Sequence, residues 1–288
     1  MKLVRFTVNG TTRLGKVVGN QVVDLCQACP AVPNDMVELL SQGAPTLQLV
    51  KNVQLATERS YDLARVHLEA PVPNPSKYLA IGLNYRSHVA EASAIGVQET
   101  PAQLWFNKQV SCITGPFSPI HMPRVSQQLD WEVELCVVIG QRCRHVPVTQ
   151  ALSVVAGYMV ANDVSVRDWQ MMTPTWTLGK SFDTHGPVGP WLVTPEDIPD
   201  PQNLNLRLWV NSVERQNSNT RFMIHDICHQ IAHLTTVMTL MPGDLIATGT
   251  PAGVGVAMKP PVYLKIGDSV RAEVEGLGHI ESKVIAEP

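Results

Sequence analysis

The segment 129–140, LDWEVELCVVIG, is the sequence feature that most limits how this chain can fold. In a β-strand, successive side chains alternate between two faces, so Asp130, Glu132 and Glu134 are predicted on one face and apolar side chains on the other. Neighbouring carboxylates repel one another, and burial beside LCVVIG would raise that cost. The pattern therefore predicts a positive charge beside the strand. A solvated edge strand is the alternative, although such strands usually continue with polar residues.

Asp163 supplies another carboxylate at the end of a second predicted strand. It closes the segment YMVAND and precedes a polar turn, where a strand end can present a ligand. Three hard oxygen donors suit Mg²⁺, Mn²⁺ or Ca²⁺. Zinc is less favoured because no His or Cys pair lies nearby, and an octahedral ion would keep about three positions for water and substrate. We therefore predict that Glu132, Glu134 and Asp163 bind one divalent ion.

Composition narrows the class of protein. A chain of 288 residues, 44% hydrophobic and 16% charged, can bury a sizeable core. A net charge of −3 gives no excess of basic residues that would bind nucleic acid. No run of residues is apolar enough to span a membrane. The amino-terminal MKLVRFTVNG lacks the apolar core of a signal peptide, and the six cysteines are scattered rather than arranged as a disulfide framework. These features predict a cytoplasmic protein.

The chain is predicted to contain two domains. Residues 3–25 indicate three short strands with turns at Asn9-Gly10 and Gly19-Asn20, followed by helical segments. Prolines at alternate positions from 71 to 75 then predict an extended linker. We place the boundary there, between a small domain of residues 1–70 and a larger domain of residues 71–288 that is mainly strands.

A helix predicted over residues 224–240 carries three histidines at intervals of four. An isoleucine-rich stripe with helical spacing runs along it, and His225, His229 and His233 fall on the opposite face. A metal ladder is one interpretation, but no Glu follows the first His as in zinc proteases. We interpret these histidines as the solvated face of the helix.

A candidate general base lies in the segment NYRSHVAEASAIG. His88 and Glu91 are three residues apart on one face of a predicted short helix, so the carboxylate can hold and polarise the imidazole. An exposed helical pair would explain the spacing equally well. Farther along, the glycine-rich GTPAGVG at 249–255 is predicted to form a backbone-lined pocket wall.

Five segments together resemble the fumarylacetoacetate hydrolase superfamily. They are NYRSHVAEA, LDWEVELCVVIG, GYMVANDVSVRDWQ, WTLGKSFDTHGPVGPW and MPGDLIATGTPAGVG, in that family's order and spacing, from about Pro71 to the end. The resemblance implies an α+β fold that is mainly β. It consists of a mixed β-roll or β-sandwich catalytic domain, with a small N-terminal domain of β-meander and helices. It also implies a homodimer, and Mg²⁺ or Mn²⁺ as cofactor, with Ca²⁺ as a substitute.

The resemblance also implies roles for individual residues, matched motif by motif. The metal ligands are Glu132 and Glu134 of the E-x-E and Asp163 of NDVS, with Asp130 nearby as a hydrogen-bond acceptor. His88 and Glu91 match the base dyad, carried on a segment that acts as a lid. The residues matching the substrate site are Lys180 in GKSF, Lys108 in FNK, Gln170 in RDWQ and Thr250 in TGTP.

Three positions depart from the family pattern. Leu83 in GLNY stands where acylpyruvate-cleaving members carry an Arg that could clamp a substrate carboxylate. His185 and Gly186 stand where many relatives have Phe and Cys. The first departure weakens the expectation of an acylpyruvate substrate, and the other two alter the polarity beside the predicted pocket.

The activity implied first is hydrolysis of a C–C bond in a 2-oxo or 1,3-diketo acid of the fumarylpyruvate or acylpyruvate type. In that reaction a metal ion would stabilise the enolate, His88 would deprotonate water, and Lys180 and Lys108 would offset oxyanion charge. Oxaloacetate tautomerisation or decarboxylation and hydroxymuconate isomerisation are the alternative, because they use the same core without an attacking water. A non-catalytic scaffold that binds metal is a remote alternative.

Overall fold

The computed structural model describes residues 1–94, 96 and 101–288. Within these residues there are six α-helices and nineteen strands, joined by loops and short 3₁₀ turns. The helices are α1 (Leu25–Ala28), α2 (Met36–Ser41), α3 (Ala44–Asn52), α4 (Arg86–Ser93), α5 (Arg167–Met171) and α6 (Ile227–Val237). The strands are β1 (Lys2–Val8), β2 (Thr11–Val18), β3 (Gln21–Asp24), β4 (Ser60–Asp62), β5 (His67–Glu69), β6 (Tyr78–Gly82), β7 (Leu104–Lys108), β8 (Ile113–Thr114), β9 (Ile120–Met122), β10 (Leu129–Asp130), β11 (Val133–Ile139), β12 (Val155–Asn162), β13 (Ser165–Val166), β14 (Gly186–Val193), β15 (Asn205–Val210), β16 (Val213–Asn219), β17 (Leu245–Ala247), β18 (Ser269–Val274) and β19 (Gly278–Ala286).

Most strands belong to two mixed sheets. The larger has the order β4-β3-β2-β1-β14-β12-β11-β17-β6-β7, with β5 beside β1 and β8 beside β14. The smaller has the order β16-β15-β18-β19-β9, and β10 pairs separately with β13. Most pairs are antiparallel, but β17 with β6, β14 with β8 and β19 with β9 are parallel. The predicted fold class, α+β and mainly β, is confirmed.

The N-terminal region joins the large sheet directly. The predicted three-stranded meander is present as β1, β2 and β3, and β1 pairs with β14 so that Leu3 faces Leu192. Leu3 and Leu14 also share one buried apolar cluster with Cys136 and Leu245. The two predicted regions therefore have a common sheet and a common core, and the boundary near residue 71 stays a prediction.

The predicted strand over residues 129–140 is interrupted in the structure. It forms β10 and β11, and the chain leaves the strand at Trp131 and Glu132. The carboxylate of Asp130 accounts for the interruption, because it accepts a hydrogen bond from the backbone N–H of Trp131 at 2.8 Å and others from the distant Gly255 and Val256 at 2.7 and 2.9 Å. The prediction of one continuous strand with three carboxylates in a row is thus wrong at Asp130, whereas the expectation that Asp130 lies nearby as a hydrogen-bond acceptor is confirmed.

The helix predicted over residues 224–240 is shorter in the structure. α6 runs from Ile227 to Val237 and is capped by Asp226, whose side chain accepts a hydrogen bond from the backbone N–H of His229. His229 and His233 are exposed, as predicted. His225 precedes the cap and is half-buried, so it lies next to the helix rather than on it.

Candidate metal and active site

Three buried carboxylates meet where β11 and β12 lie side by side. Glu132 immediately precedes β11, Glu134 lies within it, and Asp163 directly follows β12. The backbone N–H of Asp163 donates to the carbonyl of Glu132 at 2.9 Å, which fixes one strand end against the other. A carboxylate oxygen from each residue lies within 4.8 Å of those of the other two. The structure therefore brings together the three metal ligands predicted from the sequence.

Cationic side chains neutralise two of these carboxylates. Lys180 Nζ lies 2.7 Å from Glu132 Oε2 and 2.8 Å from Asp163 Oδ2, and Lys108 Nζ lies 2.7 Å from Asp163 Oδ1. Arg167 Nη1 lies 2.7 Å from Glu132 Oε1. Burial raises the pKa of Glu132, but Lys180 and Arg167 outweigh that effect and lower this pKa to about 2. Glu132 is therefore ionised at neutral pH.

Among the residues that the structure describes, Glu134 has no comparable cationic partner. Its Oε2 accepts a hydrogen bond from the backbone N–H of Gly249 at 2.7 Å, in the loop predicted as a pocket wall. Burial, together with the charges of Asp163 and Glu132, raises the pKa of Glu134 well above its ordinary value. A divalent cation would offset this charge, and three carboxylates are the oxygen donors that such an ion prefers. The residues present therefore fit a hard divalent metal.

The predicted base dyad is formed on α4. His88 Nδ1 lies 3.2 Å from Glu91 Oε2, and the Glu91 carboxylate also accepts from the backbone N–H of Gly253 at 3.0 and 3.2 Å. Glu91 is thus fixed from two sides, and it can orient the imidazole and favour a proton on Nδ1. The other ring nitrogen, Nε2, then remains as the basic atom.

One cavity joins the dyad to the carboxylates. It has a volume of about 210 Å³, and His88, Glu132 and Glu134 all line it. Lys180, Gln170 and Thr250 line the same cavity, as the sequence predicted for substrate-site residues. A space of this size suits a small acid rather than a polymer.

Lys108 differs from the other predicted substrate-site residues. It is 2% exposed and is not among the residues that line the cavity. Its Nζ donates to Asp163 Oδ1, to the carbonyl of Lys180 and, at 3.1 Å, to the carbonyl of His185. These three contacts use the three protons of the ammonium group. The predicted substrate contact therefore stays a prediction without support from this geometry.

Arg167 is the residue of this site that the sequence reasoning missed. It lines the cavity and binds Asp130 through Nε at 2.8 Å and Gln170 through Nη1 at 2.9 Å, in addition to Glu132. Its Nη2 is buried and has no hydrogen-bond partner in the described part of the chain. Two sequence features could have identified Arg167. It lies three residues before Gln170, and the acidic cluster requires a neutralising cation.

An apolar wall faces the polar part of the cavity. Leu83, Phe106 and Trp176 contribute to it, and the rings of Phe106 and Trp176 lie 5.7 Å apart. Leu83 and Trp176 both adopt left-handed backbone conformations, with φ of 55° and 60°. Such conformations are strained for residues of this size, and strained residues tend to cluster at functional sites.

The other two departures from the family pattern lie behind the cavity. His185 is fully buried and does not line it, and its Nε2 donates to the carbonyl of His121 at 2.8 Å. Gly186 packs so closely on Cys112 that an added Cβ would lie 2.7 Å from Sγ. Both residues therefore support the strand that follows Lys180 rather than contact a ligand in the cavity.

The fold and the site define the class of protein, a mainly β α+β protein with a buried carboxylate centre that suits a divalent metal. The chain belongs to the fumarylacetoacetate hydrolase family, because residues 77–285 match the model described as Fumarylacetoacetate (FAA) hydrolase C-terminal. Members of this family act on small keto acids as hydrolases, isomerases or tautomerases.

Individual relatives carry different activities in their names. The chain is 43% identical to "Oxaloacetate tautomerase FAHD2A, mitochondrial" from Bos taurus, over 99% of this chain and 92% of that protein. It is similar to the crystal structure of maleylpyruvate hydrolase from Sphingobium sp. SYK-6 in complex with manganese(II) ion and pyruvate, with a TM-score of 0.82, 35% identity and full coverage of both chains. It is also similar to 5-carboxymethyl-2-hydroxymuconate delta-isomerase from Mycobacterium smegmatis, with a TM-score of 0.80, 33% identity and full coverage of both chains.

Proposed function

We propose that this protein is a divalent-metal-dependent tautomerase that interconverts the enol and keto forms of oxaloacetate or a closely related 2-oxo acid. The observation that carries the proposal is the position of His88, which is held by Glu91 and lines the same cavity as Glu132 and Glu134. The bovine relative named as an oxaloacetate tautomerase supports this activity over almost the whole chain. The relatives thus favour the alternative from the sequence analysis over C–C hydrolysis, its leading expectation.

Glu132, Glu134 and Asp163 would hold the ion, and Mg²⁺ or Mn²⁺ suits three carboxylates best, with Ca²⁺ as a possible substitute. When bound, such an ion supplies Lewis-acid polarisation of the carboxylate and 2-oxo oxygens of the substrate. Manganese in the related maleylpyruvate hydrolase supports this assignment. Lys108 is assigned a positioning role, since its contacts hold Asp163 in place.

The side chains around the cavity transfer the proton and bind the substrate. In the direction from keto to enol, His88 Nε2 takes a proton from C3 of the acid, and the 2-oxo oxygen gains one, so the isomerisation is balanced. Glu91 stabilises the imidazolium that forms in between. Arg167 Nη2, which has no hydrogen-bond partner among the described residues, is a donor for a substrate carboxylate. Lys180 uses two protons on Glu132 and Asp163, which leaves one for a substrate oxygen.

Hydrolysis of a C–C bond is the second candidate. It is favoured by the maleylpyruvate hydrolase structure, and by a dyad that could take a proton from water as readily as from carbon. Leu83 weighs against an acylpyruvate, because it gives the cavity an apolar side chain where a clamping Arg would bind carboxylate. Isomerisation of a hydroxymuconate uses the same proton transfer and is tested with the same assay.

A substrate panel separates these activities. Enol oxaloacetate, fumarylpyruvate, maleylpyruvate, an acylpyruvate and a hydroxymuconate isomer are each assayed with Mg²⁺ and with EDTA, and products are identified by chromatography. We expect the enol form of oxaloacetate to react fastest, and the product should be the keto form. Faster cleavage of a pyruvate derivative would support hydrolysis instead, and no turnover of any acid would favour the non-catalytic scaffold.

The cellular location and the oligomeric state of the protein are part of this proposal. None of the described helices is both long and apolar enough to cross a bilayer. The six cysteines are free, which is consistent with a reducing compartment. We propose a cytoplasmic homodimer that binds a small acid and neither nucleic acid nor membrane, although the bovine relative is named as mitochondrial. Light scattering of the purified protein tests the dimer.

A further inference from the structure

A second group of potential metal ligands lies on the surface, away from the carboxylate centre. A shallow groove is lined by four imidazoles, those of His145, His225, His229 and His233. None of them lines the cavity that contains Glu132 and Glu134. The proposed tautomerase reaction therefore leaves this concentration of histidines unused.

Two of the four are arranged as a chelating pair. His229 and His233 are one helical turn apart on α6, and both are exposed. The i, i+4 spacing on a helix allows two imidazoles to bind one ion. His229 Nδ1 lies 2.7 Å from Asp226 Oδ1. A carboxylate in that position orients the ring and favours a proton on Nδ1, which leaves Nε2 free to bind an ion, as in histidines that bind zinc.

His225 adds a third imidazole from a rigid backbone. Its N–H donates to Asn84 Oδ1 at 2.8 Å, and its carbonyl accepts from Asn84 Nδ2 at 3.0 Å and from Gln230 Nε2 at 2.8 Å. Burial, with the charges of His229 and His233, lowers the pKa of His225. The side chain is therefore neutral at pH 7, which is the form that binds a metal.

His145 is a less available fourth member. Its backbone N–H donates to the carbonyl of Thr235 at 2.9 Å, which holds the loop against α6. Its Nε2, however, accepts from Arg144 Nε at 3.2 Å. A cation next to this ring opposes a metal ion, so three histidines rather than four are the ligands to consider.

We propose that His225, His229 and His233 bind a borderline transition-metal ion such as Ni²⁺, Cu²⁺ or Zn²⁺ at a surface site independent of the carboxylate centre. Imidazole nitrogen suits these ions, whereas Mg²⁺ prefers oxygen ligands. Within the described residues, the carboxylate triad is the group of three whose ligand atoms already lie within 4.8 Å of one another. The ring nitrogens of the three histidines are farther apart than that, so binding one ion would require their side chains to rotate toward it.

The test is a calorimetric titration of the full chain with Ni²⁺ in excess Mg²⁺, which keeps the carboxylate centre occupied. We expect one Ni²⁺ per chain in the wild type, and an affinity at least tenfold weaker in His233→Asn, which loses half of the helical pair. The matched control is His67→Asn, because His67 is an exposed histidine outside the groove. This control should bind Ni²⁺ as the wild type does.

A spectroscopic measurement identifies the ligand atoms. With one equivalent of Cu²⁺ and excess Mg²⁺, the electron paramagnetic resonance spectrum should show hyperfine coupling to several imidazole nitrogens, and His229→Asn should reduce it. Equal Ni²⁺ affinity in wild type and His233→Asn would overturn the proposal. A Cu²⁺ spectrum with oxygen ligands only, or with nitrogen coupling unchanged in His229→Asn, would overturn it as well.

Discussion

Glu134 Oε2 accepts a hydrogen bond of 2.7 Å from the backbone N–H of Gly249, while the ion pairs of the centre are made by its neighbours Glu132 and Asp163. Glu134 is thus buried in contact with a backbone dipole, and among the described residues it makes no ion pair with a full positive charge. Such an arrangement is costly unless the group is protonated or a cation is bound. This relationship is the physical basis for assigning a metal to the site.

Replacing Glu134 with Gln should abolish Mn²⁺ binding and activity together. Gln can still accept from Gly249 and has a similar volume, so the free energy of unfolding in EDTA should change by less than about 1 kcal/mol. Calorimetric titration with Mn²⁺ and urea unfolding measure the two quantities. Glu38→Gln, at an exposed helical position, is the matched control and should retain both. Undiminished Mn²⁺ affinity in Glu134→Gln would contradict the ligand assignment.

His88→Ala should lower kcat by roughly 10²-fold to 10⁴-fold, the usual contribution of a general base, while Mn²⁺ affinity stays within about twofold. Tautomerisation is expected near the lower end of this range and hydrolysis near the upper end, and decarboxylation should be affected far less because no base is required. Glu91→Gln should act in the same direction. His67→Ala controls for the loss of a histidine elsewhere. Normal turnover by His88→Ala on the best substrate would remove the dyad from the mechanism.

His185 should make the fold less stable in mild acid. Burial lowers the pKa of His185 to about 3, and its Nδ1 is buried without a hydrogen-bond partner in the described part of the chain. The unfolded chain takes up a proton near pH 6.5 and the folded chain does not. The stability due to a neutral His185 is therefore present above about pH 6.5 and is lost as the pH falls toward 3.

The size of that effect is measurable by comparison with a variant. Between pH 7 and pH 5 the free energy of unfolding should fall by about 2 kcal/mol more in the wild type than in His185→Phe, since one pH unit corresponds to about 1.4 kcal/mol. Phe keeps the aromatic packing against Phe182, whose ring lies 5.4 Å from that of His185. Urea unfolding at the two pH values measures the difference. Equal losses in both proteins would show that His185 is protonated in the folded state.

The α4 segment should exchange its amide hydrogens faster than α6 in the free protein. Ala92 is the buried residue of α4, whereas α6 buries five residues, so α4 is held by less packing. Mass spectrometry of peptides covering residues 86–93 and 227–237 measures the contrast, and exchange of α4 should slow when Mg²⁺ and substrate are present. Equal protection without ligand would contradict the predicted lid. Residues 95 and 97–100, at its far end, lie outside the described residues.

The sequence predicted the chemistry of this site better than its surroundings. Glu132, Glu134 and Asp163 were recognisable because carboxylates in apolar strands require a counter-charge. The break at Trp131 was not, because it depends on Asp130 binding backbone groups more than 120 residues away. Arg167 was missed because its ion pair with Glu132 joins the first residue of α5 to the segment between β10 and β11.

Long-range pairing also explains the difference between the predicted domains and the observed sheet. The meander of residues 3–25 follows from local turns, but the contact of Leu3 with Leu192 joins strands that are far apart in sequence. Alternation within a strand indicates which face is apolar, yet it does not specify the neighbouring strand. The position of Lys108 behind Asp163 likewise depends on tertiary packing.

The most direct test of the account is proton exchange at C3 of oxaloacetate, followed by NMR in deuterated water. With wild-type protein and Mg²⁺, the account predicts that the C3 proton signal decays faster than without enzyme, while pyruvate forms no faster. EDTA should return the decay to the uncatalysed rate, and added Mg²⁺ should restore it. Accelerated exchange that persists in EDTA, or pyruvate formation that keeps pace with exchange, would contradict a metal-dependent tautomerase.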